Sequence, residues 1–199
     1  MNDIAGAYSA RAAEYIELLG TVELMHPSDR ELIGTWGDRV VGEAIDAGCG
    51  PGHWTNFLAG RGLDIRGVDL TLAFVEHARR AYPRLRFATG SLEALGASDG
   101  SLGGVLAWYS LIHHAPDAIG PALDEIARVL RPAGLLLVGF FTGAAVEPFD
   151  HAVVTAYRWP VAELTERLRA SGFETVETHT RTGTGYRPHA AIIARRVKV

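Results

Sequence analysis

The sequence predicts an α/β protein on a doubly wound, largely parallel sheet. Three observations carry that prediction. From Val40 to Phe141, apolar runs alternate with segments of helical spacing, the pattern of right-handed βαβ units with helices on both faces of a sheet. Residues 135–141 form a continuous apolar run, as expected of a strand buried on both faces. The last two strand-like segments, 173–180 and 189–197, are joined by a Thr-Gly loop. That loop leaves no room for a crossover helix, so those two strands should pair antiparallel.

The elements follow in order. Residues 3–19 place Ile4, Tyr8, Ala12, Tyr15, Ile16 and Leu19 at helical spacing, and Gly20 closes the segment. Ser28-Asp29 reads as the cap of a second short helix through Trp36. Residues 1–38 are therefore expected to form a helical lid or cap. The core spans 40–199, and the whole of 1–199 reads as a single domain. A first strand at 40–46 ends in a glycine-rich run, followed by a helix at 53–60. A second strand at 63–68 ends at Asp69. Thr71 caps the next helix, which Pro83 stops. Strands at 85–88 and 102–109, a helix at 118–130 and the strand at 135–141 come next. A helix at 161–170 has Gly172 at its C′ position.

Composition excludes several function classes. Hydrophobic residues make up 48% and charged residues 21%, which argues against disorder. Nineteen basic residues face 23 acidic ones, a net charge of −4, with no basic block. A nucleic-acid backbone or an anionic membrane is thus not the expected partner. Cys49 is the one cysteine, so neither an internal disulfide nor a cysteine-based zinc site is expected. The start of the chain lacks the apolar stretch of a secretory signal, and no run approaches 18 apolar residues. The expectation is a cytoplasmic protein in a reducing compartment that acts on something small.

The chemistry is carried by Ile45-Asp46-Ala47-Gly48-Cys49-Gly50-Pro51-Gly52, where the first strand should meet the first helix. Glycines at alternate positions let the backbone turn tightly and approach a ligand closely. Asp69 lies 21 residues past Gly48, at the end of the second strand, where a carboxylate can accept hydrogen bonds from two ribose hydroxyls. The glycine spacing departs from the dinucleotide pattern, which disfavours a nucleotide-dependent oxidoreductase. Asp46 would repel a phosphate and suit an ammonium group. A nucleoside bearing an amino acid meets both demands, and S-adenosylmethionine is such a ligand.

The segments DAGCGPGHWT, GVDLT, DGSLGGVLAWYSLIHHAP and RVLRPAGLLL, in this order, resemble class I S-adenosylmethionine-dependent methyltransferases. They are most similar to the small, single-domain, actinobacterial-type branch. The resemblance implies a Rossmann-like, seven-stranded sheet in the order 3-2-1-4-5-7-6, with strand 7 antiparallel. It makes Asp46, Gly48, Cys49 and Gly50 the contacts to the methionyl part. Asp69 and Leu70 would hold the ribose and one adenine face, with Ser91 and Leu92 at the adenine edge. Trp108 and Tyr109 would follow strand 4, beside the sulfonium, and Tyr8 would close over the cofactor. Two positions depart from the family. Ser91 replaces a common acid, and Gly103-Gly104 stand where Phe-Asp is frequent, at the expense of a packing residue in strand 4.

The acceptor is a small molecule on this reading, methylated by direct in-line transfer. A catalytically silent regulatory protein that binds S-adenosylmethionine or S-adenosylhomocysteine is the alternative. Tyr109, His113, His151, Tyr157 and Arg158 are expected to wall the acceptor pocket beneath the N-terminal helix. His151 is the base candidate, because a loop imidazole with access to solvent can shed its proton. Tyr109 and His113 are the other catalytic candidates. Arg158, between Tyr157 and Trp159, would hold an anionic or polar acceptor. His113-His114 can also be read as the end of strand 4, and only Asp117 is near them in sequence, so no metal is expected.

Overall fold

The computed structural model describes residues 2–197, and for Asn2, Asp3 and Leu19 the backbone alone. Met1, Lys198 and Val199, the ends of the expected 1–199 domain and of its 1–38 lid, lie outside the described residues. The chain opens with α1 (Asn2–Ala10), α2 (Ala12–Leu19), a 3-10 turn (Val22–Leu24) and α3 (Pro27–Arg39). There follow β1 (Ala44–Ala47), α4 (His53–Gly60), β2 (Ile65–Asp69), α5 (Leu72–Ala81), β3 (Phe87–Thr89) and β4 (Leu102–Trp108). The second half contains α6 (Gly120–Val129), β5 (Leu130–Phe141), β6 (Glu147–Phe149), β7 (Ala156–Arg158), α7 (Val161–Ala170), β8 (Phe173–Arg181) and β9 (His189–Arg196).

Seven strands form one sheet in the order β3-β2-β1-β4-β5-β9-β8. The first five run parallel, and β9 is antiparallel to both β5 and β8. This is the expected topology. Its last two strands carry higher numbers because a small hairpin, β6–β7, precedes α7 as a separate two-stranded sheet. The order reverses between β1 and β4, so the crevice beyond their carboxyl ends is where an open sheet of this kind takes its ligand.

Each strand feeds two cores, because successive side chains point to opposite faces. On β4, Val105 and Ala107 pack with Leu123 and Ile126 of α6, while Leu106 packs with Trp36 of α3 and Leu58 of α4. Leu136 and Val138 of β5 join the first group, Leu135 and Leu137 the second. The apolar run at 135–141 is thus continuous because both faces are covered.

Some local expectations are corrected. The N-terminal helix is broken at Arg11, whose φ of −116° and ψ of 13° lie outside the helical range. The cap of α3 is His26, not Ser28-Asp29: its side chain accepts the Ser28 N–H at 3.2 Å, with Pro27 beginning the helix. Proline suits that place because its missing N–H would have no intrahelical partner there. Gly104 is no packing loss. A Cβ there would press on both Val40 methyl groups at 2.8 Å and on the Trp36 ring at 3.1 Å. No described helix is long and apolar enough to cross a membrane.

Candidate active site

The loop after β1 puts two carboxylates on either side of a tight turn. Asp46 is buried within β1, and its Oδ2 accepts the Thr55 hydroxyl at 2.7 Å. Burial pushes this carboxyl up to about 7. Among the described residues no cationic side chain pairs with it. Gly48 and Gly50 both take positive φ, +79° and +52°, a conformation that costs a side-chain-bearing residue about 1–2 kcal/mol. The turn folds back on β2: the N–H groups of Gly48 and Cys49 both donate to the Val68 carbonyl, at 2.7 and 3.1 Å. Cys49 is buried, and burial raises its thiol well above the usual range. It is a packing residue of the turn.

Asp69 ends β2. Its Oδ2 accepts the Gly50 N–H at 2.8 Å and its Oδ1 accepts the Thr71 N–H at 2.7 Å. Thr71 is the residue before α5, at the N-cap position, and makes no side-chain cap bond. Burial raises the Asp69 carboxyl, while the two backbone donors pull it back.

Two cavities meet over this turn. The smaller, about 110 Å3, is lined by Gly50, Asp69, Leu70, Ser91, Leu92 and Trp108, among others. It brings together the residues that the sequence reading gave to ribose and adenine. Glu93 also lines it, a residue that reading passed over. The Ser91 hydroxyl is hydrogen-bonded to the Glu93 carboxylate, and Glu93 Oε1 meets His114 Nε2 at 2.8 Å. An acid therefore stands on this wall, two positions beyond the one where it was sought.

Tyr8 and Tyr15, from α1 and α2, stack edge-on to each other and pack on Phe74 of α5, with ring centroids 5.2–5.9 Å apart. Both tyrosines line both cavities. The Tyr8 hydroxyl meets His113 Nε2 at 2.7 Å, and His113 Nδ1 meets the Thr155 carbonyl at 2.9 Å. A carbonyl can only accept, so Nδ1 carries the proton and Nε2 accepts from Tyr8. Both nitrogens of His113 are engaged, which corrects its place among the base candidates: it is a latch for the N-terminal helix. His113 lines the smaller cavity.

The larger cavity, about 360 Å3, runs from Asp46, Gly48, Cys49 and Gly50 to Tyr109, Phe141 and His151. Tyr109 has a φ of +56°, a strained value for a non-glycine residue. Its hydroxyl is hydrogen-bonded to His189 Nδ1, and His189, missed in the sequence, lines the same cavity. No pattern signals that pair, because 80 residues separate its members. His151 stands on the wall with its Nδ1 unpartnered. Burial, with His113, Arg187 and Arg11 nearby, pushes its imidazole down to about 4, so it is neutral at pH 7.

Tyr157 and Arg158 line neither cavity. Both lie on β7, where Arg158 pairs with Glu147 at 2.9 Å and stacks over Phe149, 4.8 Å from the ring centroid. Tyr157 packs against the core and donates its N–H to the Ile112 carbonyl at 2.8 Å. The expected arginine clamp is corrected: its cation is turned to the hairpin's own carboxylate. Trp159 is buried in the core. No cluster of three or more metal-ligating side chains occurs among the described residues.

The family model of a methyltransferase domain matches residues 44–134. A probable S-adenosylmethionine-dependent methyltransferase of Mycolicibacterium smegmatis is 33% identical over 144 residues, 68% of this chain and 53% of that protein. The chain belongs to the class I S-adenosylmethionine-dependent methyltransferases. A malonyl-[acyl-carrier protein] O-methyltransferase of Pseudescherichia vulneris is 26% identical over 184 residues, 92% of this chain and 68% of that one. This chain thus spans about half the length of the first relative and about two thirds of the second. In fold, it is similar to the 1,6-didemethyltoxoflavin-N1-methyltransferase of Burkholderia thailandensis, solved with 1,6-didemethyltoxoflavin and S-adenosylhomocysteine. That likeness has a TM-score of 0.74 at 22% identity, covering 98% of this chain and 89% of the other.

The family's methyl donor, S-adenosylmethionine, fits the residues present. A Cβ at Gly50 would meet nothing nearer than a Tyr15 ring carbon at 4.0 Å, so the turn faces open room rather than packed atoms. Among the described residues the buried Asp46 carboxyl has no cationic partner, as a site for an ammonium group requires.

Proposed function

We propose that this methyltransferase transfers a methyl group from S-adenosylmethionine to a small molecule. The observation that carries the reading is the meeting of the two cavities over Gly48 and Gly50, with Trp108 and Tyr109 on the wall of each. Asp69 and Leu70 hold the ribose and adenine on this reading, with Ser91, Leu92 and Glu93 at the adenine edge. Asp46 takes the ammonium group, while Gly48, Cys49 and Gly50 border the methionyl chain. Tyr8 and Tyr15 close the lid.

When bound, the sulfonium supplies an already activated methyl group, so the protein's main task is alignment. Tyr109, tied to His189, keeps the wall beside the reacting carbon in one position. His151, neutral at pH 7, can take the proton of an acceptor that enters as a hydroxyl or N–H. Its depressed proton affinity makes it a weak base that hands the proton on to water. Water exclusion falls to the aromatic lid.

Titration calorimetry with S-adenosylmethionine and S-adenosylhomocysteine tests the donor half, and release of S-adenosylhomocysteine in a screen of small metabolites tests the transfer. Micromolar binding of both nucleosides is expected, with turnover on at least one acceptor. Binding without turnover on any acceptor favours the silent regulatory protein, and absence of binding overturns both readings.

A further inference from the structure

The larger cavity has one continuous aromatic wall. Trp54, Trp108, Tyr109, Phe141 and His151 follow one another with ring centroids 6.4, 5.4, 4.9 and 6.1 Å apart. His189 adds a sixth ring, 5.7 Å from Tyr109 and 5.5 Å from Phe141. All six line the cavity. Neighbouring rings meet at 71°, 86°, 47° and 47° along this series, so the wall offers ring faces and ring edges together, which a planar aromatic ring can meet by offset stacking and edge-to-face contact.

The same cavity carries almost no free charge. Asp29, on its rim, meets Arg181 through both terminal nitrogens, each at 3.0 Å. Arg11 is bound to Glu14 at 2.8 Å and to the Ala152 carbonyl. His53, His151 and His189 are all pushed toward the neutral form, chiefly by burial. Asp46 remains, at the turn assigned to the donor's ammonium group. An anionic acceptor would find no unpaired cationic side chain among the described residues that line this cavity, since Arg11 is held by Glu14, and a buried charge without a partner is costly.

Among the described residues that line the cavity, two imidazoles have an unpartnered nitrogen, His53 and His151, and of these His151 belongs to the aromatic wall. His151 Nδ1 has no hydrogen-bond partner, while the ring touches His113, Phe141 and Phe149. A neutral imidazole keeps one ring nitrogen as an acceptor, and this one stands on the cavity wall.

We propose that the acceptor is a neutral, planar aromatic or heteroaromatic molecule whose hydroxyl or ring N–H donates to His151. This deepens the reading of the site as a methyltransferase and rests on it. It narrows the anionic or polar acceptor expected from Arg158 to a neutral one.

The test uses the full chain loaded with S-adenosylhomocysteine and three probes of similar outline: 2-naphthol, 2-naphthoate and decahydro-2-naphthol. Calorimetry first establishes that S-adenosylhomocysteine binds; its failure to do so would overturn the methyltransferase reading itself. With the loaded protein, 2-naphthol is expected to bind at least about tenfold more tightly than either competitor. A carboxylate that binds as well as the naphthol overturns the neutral acceptor, and a saturated alcohol that does so overturns the planar one. Failure of all three to bind the loaded protein overturns the proposal as a whole. In His151→Leu, 2-naphthol should lose about tenfold in affinity while naphthalene, which lacks the hydroxyl, should not. Equal losses for both would overturn the hydrogen bond, and the three-probe ranking on the unaltered chain stands independently of how that variant folds.

Discussion

The Asp69 carboxylate holds the Gly50 N–H at 2.8 Å and the Thr71 N–H at 2.7 Å. The acid at the end of β2 therefore braces the glycine turn after β1 as well as lining the smaller cavity. Asn cannot replace it, because one of its two polar atoms is a donor and would face an N–H. Asp69→Asn and Asp69→Ala should each lose about 1–3 kcal/mol of stability in denaturant melts, from backbone donors left unsatisfied. Donor affinity should fall tenfold or more in both, by calorimetry. Full stability with lost binding would show that the brace is incidental.

Asp46 should trade stability for binding. Its carboxyl is raised from the ordinary aspartate range to about 7, so the folded protein holds this proton more tightly than the unfolded chain does. That contribution is fully present at low pH and is lost as pH climbs toward 7, because the buried group must then ionise. Asp46→Asn keeps an acceptor for Thr55 and removes the ionisation. It should melt higher than the parent at pH 8, by roughly 2–4 °C for each kcal/mol recovered. Donor binding by the parent should strengthen between pH 6 and 8 as Asp46 charges, and the variant should not show that rise.

Gly48 and Gly50 should fail differently. A Cβ at Gly48 would overlap the Ser110 side chain, whereas one at Gly50 would enter open space. Gly50→Ala should stay folded, with a loss of about 1–2 kcal/mol from its positive φ, and bind the donor poorly. Gly48→Ala should lose distinctly more stability, since packing overlap adds to the strain. Thermal melts of the two variants decide the order.

Arg158→Ala should leave methyl transfer within about threefold of the parent. Its partners are Glu147 and Phe149 on its own hairpin, and a half-exposed pair of this kind contributes about 0–1 kcal/mol. A large drop in turnover with unchanged donor affinity would return Arg158 to the acceptor site.

The turn and cavity proposed for the donor were legible because their residues follow one another along β1, β2 and the turns after them. Asp46, Gly48, Gly50 and Asp69 keep their spacing in any chain that folds this way. Glu93 was not legible: its pairing with His114 spans 21 residues and its position differs from the one where an acid was expected. The hairpin escaped notice because strands of three residues carry too little periodicity to register. Once the hairpin is seen, the Arg158 misreading explains itself, since Glu147 and Arg158 are register partners. Tyr109 and His189 meet only because β9 returns beside β5, with His189 opposite Phe141.

That hairpin belongs to its own two-stranded sheet. Two backbone bonds join it to the rest of the chain, Tyr157 N–H to the Ile112 carbonyl and Trp159 N–H to the Phe141 carbonyl, while Ala156 packs in the core and the carbonyls of Asp150, Ala152 and Thr155 meet side chains, those of Arg187, Arg11 and His113. The segment between its strands carries His151, and nothing in the register of the main sheet depends on that segment. Loops so attached tolerate insertion and replacement better than the elements they connect. Libraries confined to residues 150–155 should therefore yield folded enzymes with new acceptor preferences, while the span from Asp46 to Glu93 goes on serving the same nucleoside.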